Sequence, residues 1–280
     1  MKDLVDTLRD SYASEWCKSS NNYENLGYYD WCLNSIRGHK RILEIGCGSG
    51  LSTLKLINEG HVVVAIDENP FMLDRAEELL SANGIRYKRI KRENFVATDT
   101  GYRIDYELID TNCKENENLL IESNLQFDPN LQSWLVANSP FNAVICWFMG
   151  VQGAITANDD VRIVYRMKEY KPSQYRQCVQ LSICLFAPQI LVEGGIINFI
   201  DRSKLFENKA ERLNFLTWYK ELLATQNLFP FNFCYIDQLE TINPADIEGV
   251  PIKPTLNGEA INVGQNDRFA LTSIIGVKNI

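Results

Sequence analysis

Apolar positions along this chain switch between two spacings, and the switching predicts strands and helices in alternation. Ile42, Leu43 and Ile45 form a short apolar strand. Leu51, Leu54 and Ile57 recur at helical spacing until Gly60 stops the helix. Val62 to Ile66 is apolar on both faces, as a buried parallel strand must be, and Asp67 stands at its end. Asn69 is a good N-cap, Pro70 suits the first helical position, and Gly84 closes the helix that follows. The pattern is strand, helix, strand, helix, the signature of a parallel α/β sheet.

Ahead of this unit, residues 2–16 read as an amphipathic helix with Leu4, Val5, Leu8, Tyr12 and Trp16 near one face. A polar link, KSSNNYEN, separates it from a second helix over Leu26 to Ile36. These helices either cover a site or seal the sheet. Behind the unit the runs 85–94, 102–110 and 118–127 all look like strands. Three strands where one is needed predict a hairpin insertion at about 95–120. FNAVICWFMG (141–150) is the next parallel strand and its exit. Residues 159–170 are charged and suit a short helix or lid, and Pro172 to Val192 forms a longer helix with Pro188 as a kink point. GIINFIDR is a further strand, and Lys204 to Gln226 an amphipathic helix carrying Leu213, Leu216, Tyr219 and Leu223. Residues 232–242 and 269–279 are the last two strands, and the long loop between them, about 243–267, suits a functional role.

Composition narrows the picture. The 280 residues suffice for one large α/β domain with insertions. A hydrophobic content of 45 % with 23 % charged residues is ordinary for a globular protein. The net charge of −8 argues against nucleic acid as the partner, since phosphate binding needs a basic face. The N-terminus MKDLVDTLRD lacks an apolar signal core, and no run approaches the length of a membrane span, so a cytoplasmic protein is expected. None of the eight cysteines (17, 32, 47, 113, 146, 178, 184 and 234) is spaced C-x-x-C, which predicts reduced thiols in a core and no zinc site.

The chemistry concentrates in RILEIGCGSGLSTLKLINEGHVVVAID, from Arg41 to Asp67. Glycines let a ligand approach the backbone, and the helix N-terminus offers free N–H groups. Asp67 stands where an acid takes two ribose hydroxyls. A dinucleotide fingerprint would need its third glycine at Leu51, so that fit is poor. The pattern present is E-x-G-x-G-x-G, Glu44 through Gly50, and it resembles motif I of the class I S-adenosylmethionine (SAM) methyltransferases. The resemblance implies a Rossmann-like, seven-stranded, mostly parallel sheet with a final antiparallel strand, helices on both faces, the hairpin insertion and the N-terminal helices. It implies SAM as cofactor, held by Glu44, Gly46, Cys47, Gly48, Gly50, Asp67, Glu68 and Asn69. In the family a polar residue at the end of the third strand reads the adenine amino group. Asn124 holds that place, with Leu125 against the ring, and Glu93 with Asn94 is the rival. Cys146 and Trp147, at the exit of the fourth strand, complete the expected cofactor site. Asn142 stands where the family commonly has an acid.

The acceptor side is less legible. Methyl transfer needs alignment and exclusion of water more than acid–base help. His39 and His61 are the only histidines, and each precedes a strand at the amino edge, away from a site at the carboxyl edge, so neither can serve as base. Metal-dependent relatives carry carboxylates where this chain has Cys146–Trp147 and Asp201–Arg202, so no metal is expected. Asp201, Tyr23, Tyr28 and Tyr165 remain as candidate bases, or there is none. The function expected is methyl transfer to a small molecule in a roofed, partly aromatic pocket walled by Trp147 or Phe148. The alternatives are a non-catalytic SAM-binding scaffold and a nicotinamide oxidoreductase.

Overall fold

The structure is a computed structural model that describes residues 1–165, 172–224, 231–242, 248–249, 255–256, 259–260 and 268–278. Helix α1 runs Lys2–Asn25 and α2 Tyr28–Leu33. Then come β1 (Arg41–Ile45), α3 (Leu51–Asn58), β2 (Val62–Asp67), α4 (Pro70–Ala82), β3 (Lys88–Ile90), β4 (Glu93–Ala97), β5 (Tyr102–Tyr106) and β6 (Leu119–Glu122). The second half holds α5 (Leu131–Ala137), β7 (Phe141–Trp147), α6 (Asp159–Tyr165), α7 (Pro172–Ile190), β8 (Leu191–Lys204), α8 (Lys209–Ala224), β9 (Phe231–Thr241), the two-residue strands β10 (Thr255–Leu256) and β11 (Glu259–Ala260), and β12 (Phe269–Lys278).

One sheet takes the order β3-β6-β2-β1-β7-β8-β12-β9. Its first six strands are parallel, and β12 lies antiparallel to both neighbours. Strand alternation sorts the core onto two faces. Val64, Ile66, Val144 and Cys146 pack with α5, α7 and α8, while Val63, Ala65, Ile145 and Trp147 pack with α2, α3 and α4. This is the mixed α/β, mostly parallel architecture expected.

The described sheet has eight strands where seven were expected. The extra strand is β3, three residues at the edge of the sheet paired parallel to β6. The run 85–94 splits because Arg92 turns inward: its Nε donates to the Glu107 carbonyl at 2.7 Å, and its guanidinium meets buried Asp128. Glu93–Ala97 then pairs antiparallel with Tyr102–Tyr106, so the hairpin is residues 93–106. The third strand of the expected topology is Leu119–Glu122, which pairs with β2.

Helix α1 also departs from expectation. It runs unbroken through the segment KSSNNYEN, and its buried stripe is Val5, Arg9, Ala13, Trp16, Ser19, Ser20 and Tyr23. Leu4 and Leu8 are 61 % and 43 % exposed. The helix is rotated so that polar groups find partners: Arg9 pairs with Glu93 at 2.6 Å, and Ser20 Oγ meets Ser49 Oγ at 2.9 Å. Most of the expected loop 243–267 lies outside the described residues.

Candidate active site

Parallel strands put their carboxyl ends at one edge, and three chain reversals there build a cleft. After β1 the chain turns through Gly46, Gly48 and Gly50, all with positive φ (76°, 55° and 84°). L-residues other than glycine rarely adopt these angles, so the loop conformation depends on them. The Gly46 and Cys47 N–H groups both donate to the Ile66 carbonyl (2.8 and 3.1 Å), tying the loop to the end of β2. A Cβ at Gly46 would meet only Met149 Cε, at 3.7 Å, so this glycine faces open space.

Asp67 leaves β2 beside the loop. Its Oδ2 accepts from the Gly48 N–H and its Oδ1 from the Asn69 N–H, each at 2.9 Å. A carboxylate has about four lone-pair sites. One therefore remains on each oxygen, an arrangement suited to two neighbouring hydroxyls. Desolvation pushes the Asp67 carboxyl up to about 6 despite the two N–H donors. Asn69 caps α4 by accepting from the Phe71 N–H at 3.1 Å, and its Nδ2 donates to the Arg9 carbonyl at 3.0 Å.

Glu68, Asn124, Gln152 and Tyr175 form a polar cluster at the other end of the cleft. Asn124 Nδ2 donates to Glu68 Oε2 and lies 3.0 Å from Tyr175 Oη. Gln152 Nε2 donates to Glu68 Oε1 at 3.3 Å. Leu125 and Val179 give this end its apolar wall. Two buried atoms in the lining, Tyr12 Oη and Gln152 Oε1, have no hydrogen-bond partner among the described residues. Burial and nearby Asp67 push the Tyr12 phenol well up, so it stays protonated.

Of the expected cofactor residues, Gly46, Gly48, Asp67, Glu68, Asn69, Asn124 and Leu125 share the cleft, and the other five do not line it. Glu44 is 2 % exposed beneath the loop, accepting from the hydroxyls of Ser52 and Thr53, and burial pushes its carboxyl up to about 7. It anchors the start of α3. Cys47 is buried with its thiol turned to the Gly48 carbonyl. A Cβ at Gly50 would lie 2.7 Å from Ala76 Cβ, so this glycine permits α3–α4 packing. Cys146 points into the core on the α7 side. Trp147 points to the opposite face, where Nε1 donates to Asn198 Oδ1 at 2.6 Å. The wall residue is Phe148, held at φ 52° with its N–H on the Ile200 carbonyl. The rival adenine residue Glu93 is committed to Arg9, outside the cleft.

The lining also includes Tyr12, Trp16, Met149, Gly150, Gln152, Tyr175 and Val179; the sequence placed Tyr12 and Trp16 on an amphipathic helix and Met149 and Gly150 at the exit of the fourth strand, and gave no sign of the other three. That helix presses close. A Cβ at Gly48 would lie 2.5 Å from Trp16 Nε1, and one at Gly150 would lie 1.8 Å from Tyr12 Oη. The cleft holds about 660 Å³ counting its open mouth, but an interior of about 70 Å³. That interior is well below the roughly 300–1,000 Å³ of ligand pockets. A nucleoside fits only if Trp16 withdraws from the glycine loop. With that movement the residues suit SAM: glycines toward open space, an acid with two free lone pairs, and unpartnered polar atoms facing inward.

The candidate bases are scattered. Tyr23 is fully buried beneath the Arg202 guanidinium (4.7 Å) and against Phe148 (ring centroids 5.1 Å apart). Tyr28 is buried outside the lining, and Asp201 pairs with Arg176 at 3.6 Å. The Tyr165 side chain lies outside the described residues. His61 Nδ1 contacts the His39 carbonyl at the amino edge, far from the cleft.

Residues 42–102 match a family model described as a methyltransferase domain. Over 99 residues the chain is 26 % identical to a ribosomal protein L11 methyltransferase of a Nitratiruptor species, and that stretch spans 34 % of each chain. The chain thus covers about a third of that relative's length. Among solved structures it resembles a SAM-dependent methyltransferase from Methanosarcina mazei (14 % identity, 89 % of this chain and 97 % of that one, TM-score 0.44). It also resembles a magnesium protoporphyrin IX methyltransferase from Synechocystis with bound SAM (11 % identity, 95 % and 80 %, TM-score 0.39). Helices α3 and α4, strand β2 and all but the first residue of β1, with the glycine loop and Asp67 that they carry, fall within the matched segment, and it is in this segment that the chain is similar to the SAM-dependent methyltransferases.

Proposed function

We propose that the chain transfers a methyl group from SAM to a small-molecule acceptor, by positioning and exclusion of water, with neither a histidine base nor a metal. The observation that carries this reading is the roof: α1 lies along the cleft with Tyr12 and Trp16 facing inward. A cleft closed over its reactants favours a small acceptor, whereas a macromolecule needs an open groove. SAM, when bound, supplies a methyl carbon activated by its sulfonium. Gly46, Gly48 and Asp67 hold and orient it. Tyr12, kept neutral, donates a hydrogen bond and takes no proton. Phe148 and Trp16 keep water from the reacting centre. Such a site suits an amine, thiol or carbon nucleophile. In this reading the 280 residues act as one domain in the cytoplasm.

The packing of Trp16 on Gly48 favours a second reading, a protein that keeps the cofactor cleft without transferring methyl groups. The relative that bears the name ribosomal protein L11 methyltransferase raises a protein acceptor as a third. Calorimetry with SAM, S-adenosylhomocysteine and NADH tests the cofactor. Transfer of labelled methyl from SAM to small amines, thiols and phenols, and to ribosomal protein, tests the rest. Label on small molecules alone supports the proposal. Label on protein alone refutes the small acceptor, and tight SAM binding without transfer to any acceptor supports the scaffold.

A further inference from the structure

The base end of the cleft carries an inference that deepens the cofactor reading and rests on it. We infer that Glu68, with Oε1 of Gln152 beside it, receives the amino group of the bound adenine, and that Asn124 only positions Glu68. The amide of Asn124 is spent. A side-chain amide has two N–H groups and two lone pairs. Its Nδ2 faces Glu68 Oε2 and Tyr175 Oη, and its Oδ1 accepts from the N–H groups of Gln126 (2.9 Å) and Phe127 (3.3 Å). Nothing remains for a ligand without breaking the turn at 124–127.

An amino group needs acceptors, and among the described side chains at this end of the cleft two remain. Glu68 Oε2 is shared by Asn124 and by Tyr175 at 3.3 Å, but Oε1 has a single donor, Gln152 Nε2, at 3.3 Å. The Oε1 of that same Gln152 is buried without a partner among the described residues and lines the same cleft. A buried acceptor left unpaired is costly, which marks it as meant for a ligand group. Glu68 directly follows Asp67, so a nucleoside whose ribose is held there reaches Glu68 with its base, between Leu125 and Val179. Two oxygens side by side match the two N–H groups of adenine. They oppose the 6-oxo group of hypoxanthine, which brings a third oxygen to the same place.

Calorimetry with S-adenosylhomocysteine and S-inosylhomocysteine tests this. The wild-type protein should prefer the adenine ligand by on the order of 100-fold, since the 6-oxo group leaves buried acceptors unpaired and facing an oxygen. Glu68→Gln, which offers an N–H to the 6-oxo group, should reduce the ratio to about tenfold or less. Asn124→Ala should weaken both ligands while keeping the ratio within about threefold. If Glu68→Gln fails to fold, as judged by circular dichroism, Gln152→Leu serves in its place and should lower the ratio by about tenfold. An unchanged ratio in Glu68→Gln or Gln152→Leu, or a ratio erased by Asn124→Ala, overturns the inference. Wild-type protein that binds neither thioether overturns the cofactor reading, and this inference with it.

Discussion

If Asp67 holds the ribose as proposed, cofactor binding should depend on pH, and the size of the effect follows from its surroundings. The free lone pairs on its two oxygens can accept both ribose hydroxyls only while the carboxyl is ionised, since protonation turns one oxygen into a donor. Desolvation holds that group at about 6, above the ordinary 3.8. Its ionised fraction is then about 0.97 at pH 7.5 and about 0.09 at pH 5. Affinity for S-adenosylhomocysteine should fall about tenfold over that range, or about 1.4 kcal/mol. The ligand has no group of its own that titrates in this interval. Calorimetry at half-unit steps would show a flat limb above pH 7 and a slope approaching tenfold per unit below pH 5.5. Asp67→Asn should bind more weakly by about 2–4 kcal/mol at pH 7.5, since charged hydrogen bonds are the strong kind. Its affinity should also be indifferent to pH. Glu44→Gln controls for the other carboxyl that burial raises nearby, and should keep the slope. A flat wild-type profile, or an equal slope in Asp67→Asn, would refute the assignment of Asp67 to the ribose.

The remaining predictions concern the loop, its anchor, its cover and the histidines. Gly46→Val should abolish cofactor binding on calorimetry while the helix and sheet content seen by circular dichroism is kept, because valine both enters the cleft and is strained at φ 76°; retained binding refutes the role given to the glycine loop. Glu44 has a folded value of about 7 against an ordinary 4.5, so its protonated form favours the fold. That contribution is fully present below about pH 4.5 and lost as pH rises through 7, amounting to at most about 3 kcal/mol; urea melts at pH 5 and pH 8 should show the difference in wild type and lose most of it in Glu44→Gln. Trp16→Ala should raise the association rate of S-adenosylhomocysteine at least about tenfold in stopped flow, since it clears a closed conformation that limits binding; an unchanged rate sinks the idea that Trp16 blocks entry. Replacing His39 and His61 together by Gln should leave any methylation rate within about tenfold, against the 10²–10⁴ typical of general-base loss.

The parts of the fold that follow from local periodicity were legible in the sequence. The strand at 62–66 is buried on both faces, so its five apolar residues announce it, and the Asn69–Pro70 start of α4 is a local matter of cap chemistry. The split at Lys91–Arg92 was not legible, because it depends on Arg92 reaching Asp128, 36 positions away. The face of α1 was misjudged for a related reason. Apolar periodicity assumes that polar side chains face water, yet Arg9, Ser19 and Ser20 face inward and their partners belong to other elements. In the site, Gly46, Gly48 and Asp67 were readable because their roles are local to one strand–loop–helix unit. Trp147 and Phe148 could be told apart only by the phase of β7, and Gln152 and Tyr175 gave no sign, since their place depends on where the loop after β7 and helix α7 come to rest.

The inward polar face of α1 also bears on how the cleft can open. A helix held to its sheet by an apolar stripe leaves at the full cost of exposing that stripe. Helix α1 buries Val5, Ala13, Trp16 and Tyr23 but also meets its neighbours through polar contacts: the buried pair of Arg9 with Glu93, Arg75 with Asp10 at 2.6 Å, Asn69 with the Arg9 carbonyl, and Ser20 with Ser49. The Arg75–Asp10 pair is partly exposed, and pairs of that kind contribute little net stability. Trp16 is the large apolar group that must leave the glycine loop, and it stands between Tyr12 and Tyr23 on the same face. Tyr23 is bound more firmly, packed on Phe148 and Tyr29 near the C-terminal half of α1. The half of the helix that carries Tyr12 and Trp16 is thus held in large part by polar contacts, and the other half by aromatic packing. Outward movement of the first four turns would free Gly48 and Gly150 together, at the cost of the buried Arg9–Glu93 pair, with Tyr23 left on the sheet. The reverse movement would return the Tyr12 hydroxyl, unpartnered among the described residues, to the cleft over a bound ligand, so entry of the cofactor and satisfaction of that hydroxyl would be two ends of one motion.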